Sequence, residues 1–237
     1  MQTLGLLGVN VIGRRFDQHD DPLRQKLHYD LNPGGYFEEP DIYYGGPSSE
    51  TFRRHLPDRS ILKACKMDLR LLIDPSQFDA WVAAAPTICS VLVSYRSPSE
   101  QARSEFLTSG LAHTGIDPSG VDPRARFMFI TSFLEEYRNN YSAVTKLSHG
   151  PLSVLAEKTH VVDFAEIANS RSYVERIAGL AALQPTEKEF DRAVANIDPG
   201  LMRIRADELD EHERRWSRNL GADEVFEQLV RLRKKES

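Results

Sequence analysis

The sequence predicts an α/β fold, a parallel sheet flanked by helices with a helical C-terminal part, on three observations. The run Thr87–Tyr95 (TICSVLVSY) is a near-continuous stretch of β-branched and apolar residues, and its length suits a parallel strand covered on both faces. Strand-like runs alternate with helix-like segments, the order expected of parallel strands joined by crossover helices. The dipeptides Asp74-Pro75 and Asp122-Pro123, and the Pro98 after Arg96-Ser97, place proline where a helix starts and its missing N–H costs nothing.

The elements follow in order. Met1–Leu7 reads as the end of a helix, loosened by Gly5 and Gly8 before Val9–Gly13. From Arg14 to Pro47 the chain is polar and rich in Gly, Pro and aromatic residues, centred on Asn32-Pro33-Gly34-Gly35-Tyr36-Phe37-Glu38, which predicts an ordered loop. A short helix near Ser48 to His55 precedes Ser60-Ile61-Leu62-Lys63-Ala64-Cys65, a run that suits a buried strand. Asp74 is an N-cap for a helix to about Ala84. After the strand at Thr87–Tyr95, Pro98 opens a helix to about Leu111, His113–Val121 is a loop, and Asp122-Pro123 starts a long helix toward Leu147. Thr159–Phe164 is a third, short strand. Helices complete the chain at Ser170–Leu183, at Thr186–Asn196 with a Thr186/Glu189 capping box, and from Asp207 onward with a break near Gly221. No internal repeat occurs, so the 237 residues are expected to form one domain, an α/β core over 1–165 and a helical part over 166–237.

Composition narrows the class. Hydrophobic residues are 41% and charged residues 27% of the chain, the balance of an ordinary soluble globular protein. A net charge of -5 argues against a general nucleic-acid binder, which needs a concentrated basic surface. The two cysteines, Cys65 and Cys89, lie in apolar runs and read as reduced core residues, which fits a reducing compartment. No apolar run approaches the roughly 20 residues of a membrane span, and Met1–Gly13 lacks a basic region and cleavage site. A cytoplasmic protein with no membrane span is the expectation.

Ligands of open α/β sheets bind outside the carboxyl ends of strands, where helix amides meet an anion. Arg96 stands at such an end, and Ser104 follows eight residues on, two turns into the next helix, able to face back toward the same crevice. A guanidinium fork and a hydroxyl converging there suit a phosphate monoester. The same pattern also fits an ordinary capping arginine and a tolerated helical serine.

Here the residues carry a resemblance. The run from Val91 to Ser104 (VLVSYRSPSEQARS) resembles the sulfotransferase signature, in which a strand leads to Arg-x-Pro and a serine follows on the next helix. Asn32–Glu38 is similar to the Asn-Pro-x-Gly-Tyr-Phe-Glu segment of many bacterial members. Ile61-Leu62-Lys63 resembles the strand that usually continues Lys-x-Pro-Arg, and Val161–Ile167 (VVDFAEI) the strand and acidic turn before the C-terminal helices. The resemblance implies the fold of the P-loop nucleotide kinases and a co-substrate, 3'-phosphoadenosine 5'-phosphosulfate, whose 3'-phosphate Arg96 and Ser104 would hold. It assigns Lys63 to the transferring sulfuryl group and directs Arg203, after Ile197-Asp198-Pro199, toward the nucleotide.

Two features depart from the pattern. The loop resembling Gly-x-x-Arg-Ser-Gly-Thr, whose amides cradle the 5'-phosphosulfate, has no counterpart, and Met1–Val9 looks like the helix that follows it. Lys63-Ala64-Cys65-Lys66 also lacks the usual Pro-Arg. Sulfuryl transfer asks the protein mainly to align an acceptor and stabilise charge on the leaving group, with a base to take the acceptor proton. Glu38 is the candidate base, because the aromatic residues before it would desolvate its carboxylate and raise its pKa; His19, His28 and His55 are alternatives. Tyr36, Phe37, Tyr43 and Tyr44 either line an acceptor pocket or pack the loop. The expected acceptor is a hydroxyl or amine of a small molecule or glycan, no metal is required, and the oligomeric state, a homo-oligomer included, stays open. The alternative is a non-catalytic member of the fold that binds nucleotide or a partner. A nucleotide kinase is the third reading, for which Gly-x-x-x-x-Gly-Lys-Ser/Thr is missing.

Overall fold

A computed structural model describes residues 1–13, 39–56, 61–107, 120–197 and 211–235. Its helices are α1 (Gln2–Leu6), α2 (Pro40–Gly45), α3 (Glu50–His55), α4 (Phe78–Ala84), α5 (Pro98–Glu105), α6 (Pro123–Thr145), α7 (Ser170–Leu180), α8 (Glu187–Ala195), α9 (Glu211–Asn219) and α10 (Ala222–Lys235). The strands are β1 (Asn10–Val11), β2 (Lys63–Ala64), β3 (Val91–Tyr95) and β4 (Thr159–Asp163). The described chain is therefore mostly helical, with its strands paired two by two, β1 with β2 and β3 with β4. The first pair is parallel, Asn10 opposite Lys63 and Val11 opposite Ala64.

The chain divides into two compact units, neither continuous in sequence. The first takes Met1–Leu92, Leu147–His160 and Glu166–Leu201, the second Val93–Lys146, Val161–Ala165 and Met202–Ser237, as far as these spans are described.

In the first unit, Ile42, Phe52 and Ala84 form a buried cluster against Ile12, Leu56, Cys65, Met67 and Ile88. Local chemistry sets its helices. The Ser49 hydroxyl accepts from the Phe52 amide at 3.1 Å to cap α3, and Trp81 of α4 donates its indole N–H to the Leu71 carbonyl at 3.0 Å. The capping box at α8 is complete, with Thr186 accepting from the Glu189 amide and Glu189 accepting from the Thr186 amide. Arg192 of α8 donates to the Leu6 carbonyl at 3.2 Å, tying α8 to the end of α1.

The second unit is organised by α6. Asp122 caps it through the Ala125 amide, and Ile130, Leu134, Tyr137, Tyr141 and Val144 are all buried along it. Their spacing of three and four residues is one apolar stripe of a 3.6-residue helix. Buried Val93 and Tyr95 of β3, Val161 and Val162 of β4, and Val225 and Leu229 of α10 supply the rest of this core. Gly221, at φ 72°, makes the left-handed turn between α9 and α10, a conformation cheap only without a Cβ.

Several expectations are corrected. The 14–47 loop ends earlier than its composition suggests, because Pro40 opens α2 as an N-terminal helix residue. The strand expected over Ser60–Cys65 is ordered as two residues; its backbone pairs with β1, but Ile61 and Leu62 are 52% and 42% exposed. The strand expected from Thr87 begins at Val91. A 3-10 turn occupies Ala85–Thr87, held by Lys158, whose ammonium donates to the Ala85 and Ile88 carbonyls at 2.6 and 2.7 Å. Cys89 is consequently exposed, and Cys65 is partly buried. Ser94 is also exposed, so β3 is covered less completely than its composition implies. No helix among the described residues is long and apolar enough to cross a membrane.

Candidate functional site at the end of β3

Arg96 is the residue after β3, and α5 starts two positions later at Pro98. Its backbone is fixed from α6: the Tyr137 hydroxyl donates to the Arg96 carbonyl at 2.9 Å, and the Tyr141 hydroxyl to the Ser94 carbonyl at 2.7 Å. Both phenols are buried, and burial drives their ionisation upward, to about 12 for Tyr141. They remain neutral donors at any ordinary pH.

The Arg96 guanidinium lies over the Phe164 ring, 4.5 Å from its centroid. Phe164 follows directly on β4, so the carboxyl ends of β3 and β4 meet at this stack. The Arg96 Nε is closed off from solvent with no hydrogen-bond partner. No carboxylate among the described residues forms an ion pair with this side chain. Burial lowers its pKa, and Glu100, Glu105 and Tyr141 oppose that shift. Glu100 answers in kind: desolvation raises its pKa, Asp163 adds to the rise and Arg96 counters it.

The start of α5 is buried at Pro98 and Ser99 and carries no side-chain cap. The hydroxyl of Ser97, its N-cap, sits 3.4 Å from that of Ser99 instead. Ser104 lies in the last turn of α5, half-buried, in the same unit as Arg96. At the edge of the cluster, Arg233 of α10 reaches Asp163 at 3.7 Å. The arrangement amounts to a held cation on an aromatic face beside uncapped helix amides, a seat for a tetrahedral oxyanion.

A different cluster anchors α5. Glu213 of α9 is 1% exposed and accepts from Arg103 at 3.0 Å on one carboxylate oxygen and from Arg126 at 2.5 Å on the other. Arg103 adjoins Ser104, so this triad fixes the turn of α5 that carries the serine.

The other expected site residues are elsewhere. Lys63 belongs to the first unit, where its ammonium donates to the His55 carbonyl at 3.2 Å and so closes the C-terminal end of α3. Glu38 and Arg203 lie outside the described residues, as does the Asn32–Glu38 segment. Sequence reasoning missed Phe164, Glu100, Tyr137 and Arg233. The one available signal was position, since Phe164 ends a strand as Arg96 does and Glu100 sits on the first turn of the helix that follows. No protein-family model, curated protein or solved structure matches the chain.

Proposed function

We propose that this chain is a sulfotransferase-like protein that binds 3'-phosphoadenosine 5'-phosphosulfate through its 3'-phosphate at Arg96 and transfers the sulfuryl group to a hydroxyl or amine acceptor. The observation that carries the reading is the Arg96 guanidinium, stacked on Phe164 at the end of β3 with no ion pair among the described residues. A phosphate oxygen arriving at the terminal nitrogens of this guanidinium would supply the counter-charge it lacks among the described residues. The amides of Ser99 and Glu100, at the uncapped start of α5, would meet a second oxygen, and Ser104 would add its hydroxyl. The signature-like run Val91–Ser104 supports the P-loop-like fold to which such a site belongs.

In this reading the acceptor oxygen or nitrogen attacks sulfur, the bond from sulfur to the 5'-phosphate oxygen breaks, and 3'-phosphoadenosine 5'-phosphate leaves. Two roles in this reading rest on the sequence alone: Glu38 as the base that takes the acceptor proton and Lys63 as the cation for the transferring group.

Calorimetric titration with 3'-phosphoadenosine 5'-phosphate tests the site. Micromolar binding that falls at least 100-fold in Arg96→Ala, with no binding of adenosine 5'-phosphate, is the expected result. Equal binding of the two nucleotides, or an Arg96→Ala variant that binds unchanged, would overturn the assignment.

A further inference from the structure

The end of α6 and the α9–α10 turn line an open cavity of about 460 Å³ that shares no residue with the Arg96 site. From α6 it takes Arg138 and Ser142 and from the C-cap that follows it Lys146, each four residues from the last, and from the end of α9 it takes Arg218 and Asn219. Glu224 is the one carboxylate in the lining. Three cations thus face one anion in a chain whose overall charge is -5. Repulsion among like charges disfavours that gathering unless an anion joins it.

The cations are available in different degrees. Arg138 is held in place: one terminal nitrogen donates to the Leu220 carbonyl at 3.3 Å, the other to the Asn139 side chain at 3.2 Å, and Nε to the same oxygen at 3.4 Å. A guanidinium has five N–H groups, so one remains on each terminal nitrogen. Lys146, exposed at the end of α6, has no ion pair among the described residues. Arg218 has only Glu211, at 3.6 Å, with both side chains more than half exposed, a contact too solvated to hold it.

The rest of the wall selects the body of the ligand. Ser142, Asn219 and Gln228 offer hydroxyl and amide groups, while Leu220 and Val225 are the apolar contributions. Such a lining suits a hydroxylated molecule better than an aromatic or aliphatic one, and the volume falls in the range of small-ligand sites. We infer that this cavity binds a phosphorylated sugar, the phosphate at Arg138 and Lys146 and the hydroxyls along Ser142, Asn219 and Gln228. A sulfated sugar offers the same tetrahedral head with one charge where phosphate carries nearly two, so a wall in which cations outnumber carboxylates favours phosphate.

The test titrates the full chain at low ionic strength with glucose 6-phosphate, glucose 6-sulfate and glucose, followed by calorimetry. Expected is saturable binding of the phosphate, at least tenfold weaker binding of the sulfate and none of glucose. Lys146→Gln and Arg218→Gln, which remove no structural contact of weight, should each weaken the phosphate at least threefold with unchanged circular dichroism. Excess 3'-phosphoadenosine 5'-phosphate should not displace it, which separates this cavity from the Arg96 site whatever that site binds. No saturable binding, binding indifferent to both substitutions, or displacement by the nucleotide would overturn the inference.

Discussion

Around Glu213, Arg103 and Arg126 each donate to their own carboxylate oxygen, whereas Arg96 has a phenyl ring beneath it and no carboxylate paired with it among the described residues. Arg96 and Arg103 sit at opposite ends of the same short stretch, before and within α5. One cluster is electrostatically closed and holds a helix; the other is left open at the end of a strand. The contrast separates a structural arginine from a candidate binding one by its counter-charge, since a buried, unpartnered Nε is common to Arg96, Arg103 and Arg126 and only the last two are paired with a carboxylate.

The sharpest way to break this comparison is to remove the closed cluster. Glu213→Ala leaves two arginine heads together without their shared anion, and breaking a buried pair in this way costs about 3–5 kcal/mol. Urea denaturation of the variant should show a loss of that size. Arg96→Ala, by contrast, forfeits a cation–aromatic contact of about 0.5–1 kcal/mol and relieves an unsatisfied nitrogen, so its stability should change by less than about 1 kcal/mol while nucleotide binding disappears. If the two variants were equally destabilised, Arg96 would be structural.

The backbone anchor of the open site comes next in size. Tyr137→Phe deletes the hydroxyl that donates to the Arg96 carbonyl, leaving that acceptor unpaired at a side chain 2% exposed. The cost should be about 1–2 kcal/mol, read again by urea denaturation. Because the Arg96 carbonyl position sets where the guanidinium starts, nucleotide affinity should also fall, though less than in Arg96→Ala. A variant that loses stability yet binds nucleotide as before would show that Tyr137 supports the fold and not the site.

Of the open cluster Arg96 was legible in the sequence, whereas its partners Phe164 and Tyr137 and the whole closed cluster were not, for a physical reason. Arg96 is marked by a strand that ends and a helix that begins at a proline, both local signals. Glu213 and Ser217 lie four residues apart on α9 and are both buried, so the inward face of that helix is polar. Apolar periodicity, the main guide to which helix face is buried, points away from it. The same guide overstated the strands. Ile61, Leu62 and Cys89 are apolar but exposed, since a 3-10 turn and a two-residue pairing, neither visible as a pattern, decide where the backbone runs. Helices with their own chemistry fared better: the Asp122 cap of α6 and the Thr186/Glu189 box of α8 are set by side chains within three residues of the start, and both are present.

The smallest effect concerns Glu100, which stands between the two arginine types because Arg96 attracts it without pairing with it. Desolvation raises its pKa above the ordinary 4.5, with Asp163 adding to the rise and Arg96 opposing it. A carboxyl whose folded pKa is raised is favoured in its protonated form, so the stabilisation it gives is complete below the ordinary value and declines as pH climbs through 4.5 to the folded value. Glu100→Gln should therefore flatten the stability profile across that window, by about 0.5 kcal/mol or less because the side chain is only half-buried and solvent screens it. At neutral pH the same substitution removes the one carboxylate on the first turn of α5 and should tighten nucleotide binding about two- to threefold, the change expected where a screened like charge leaves an anion site. Weaker binding in Glu100→Gln would mean that this carboxylate holds Arg96 in place for the ligand, and the open cluster would then resemble the closed one more than its geometry suggests.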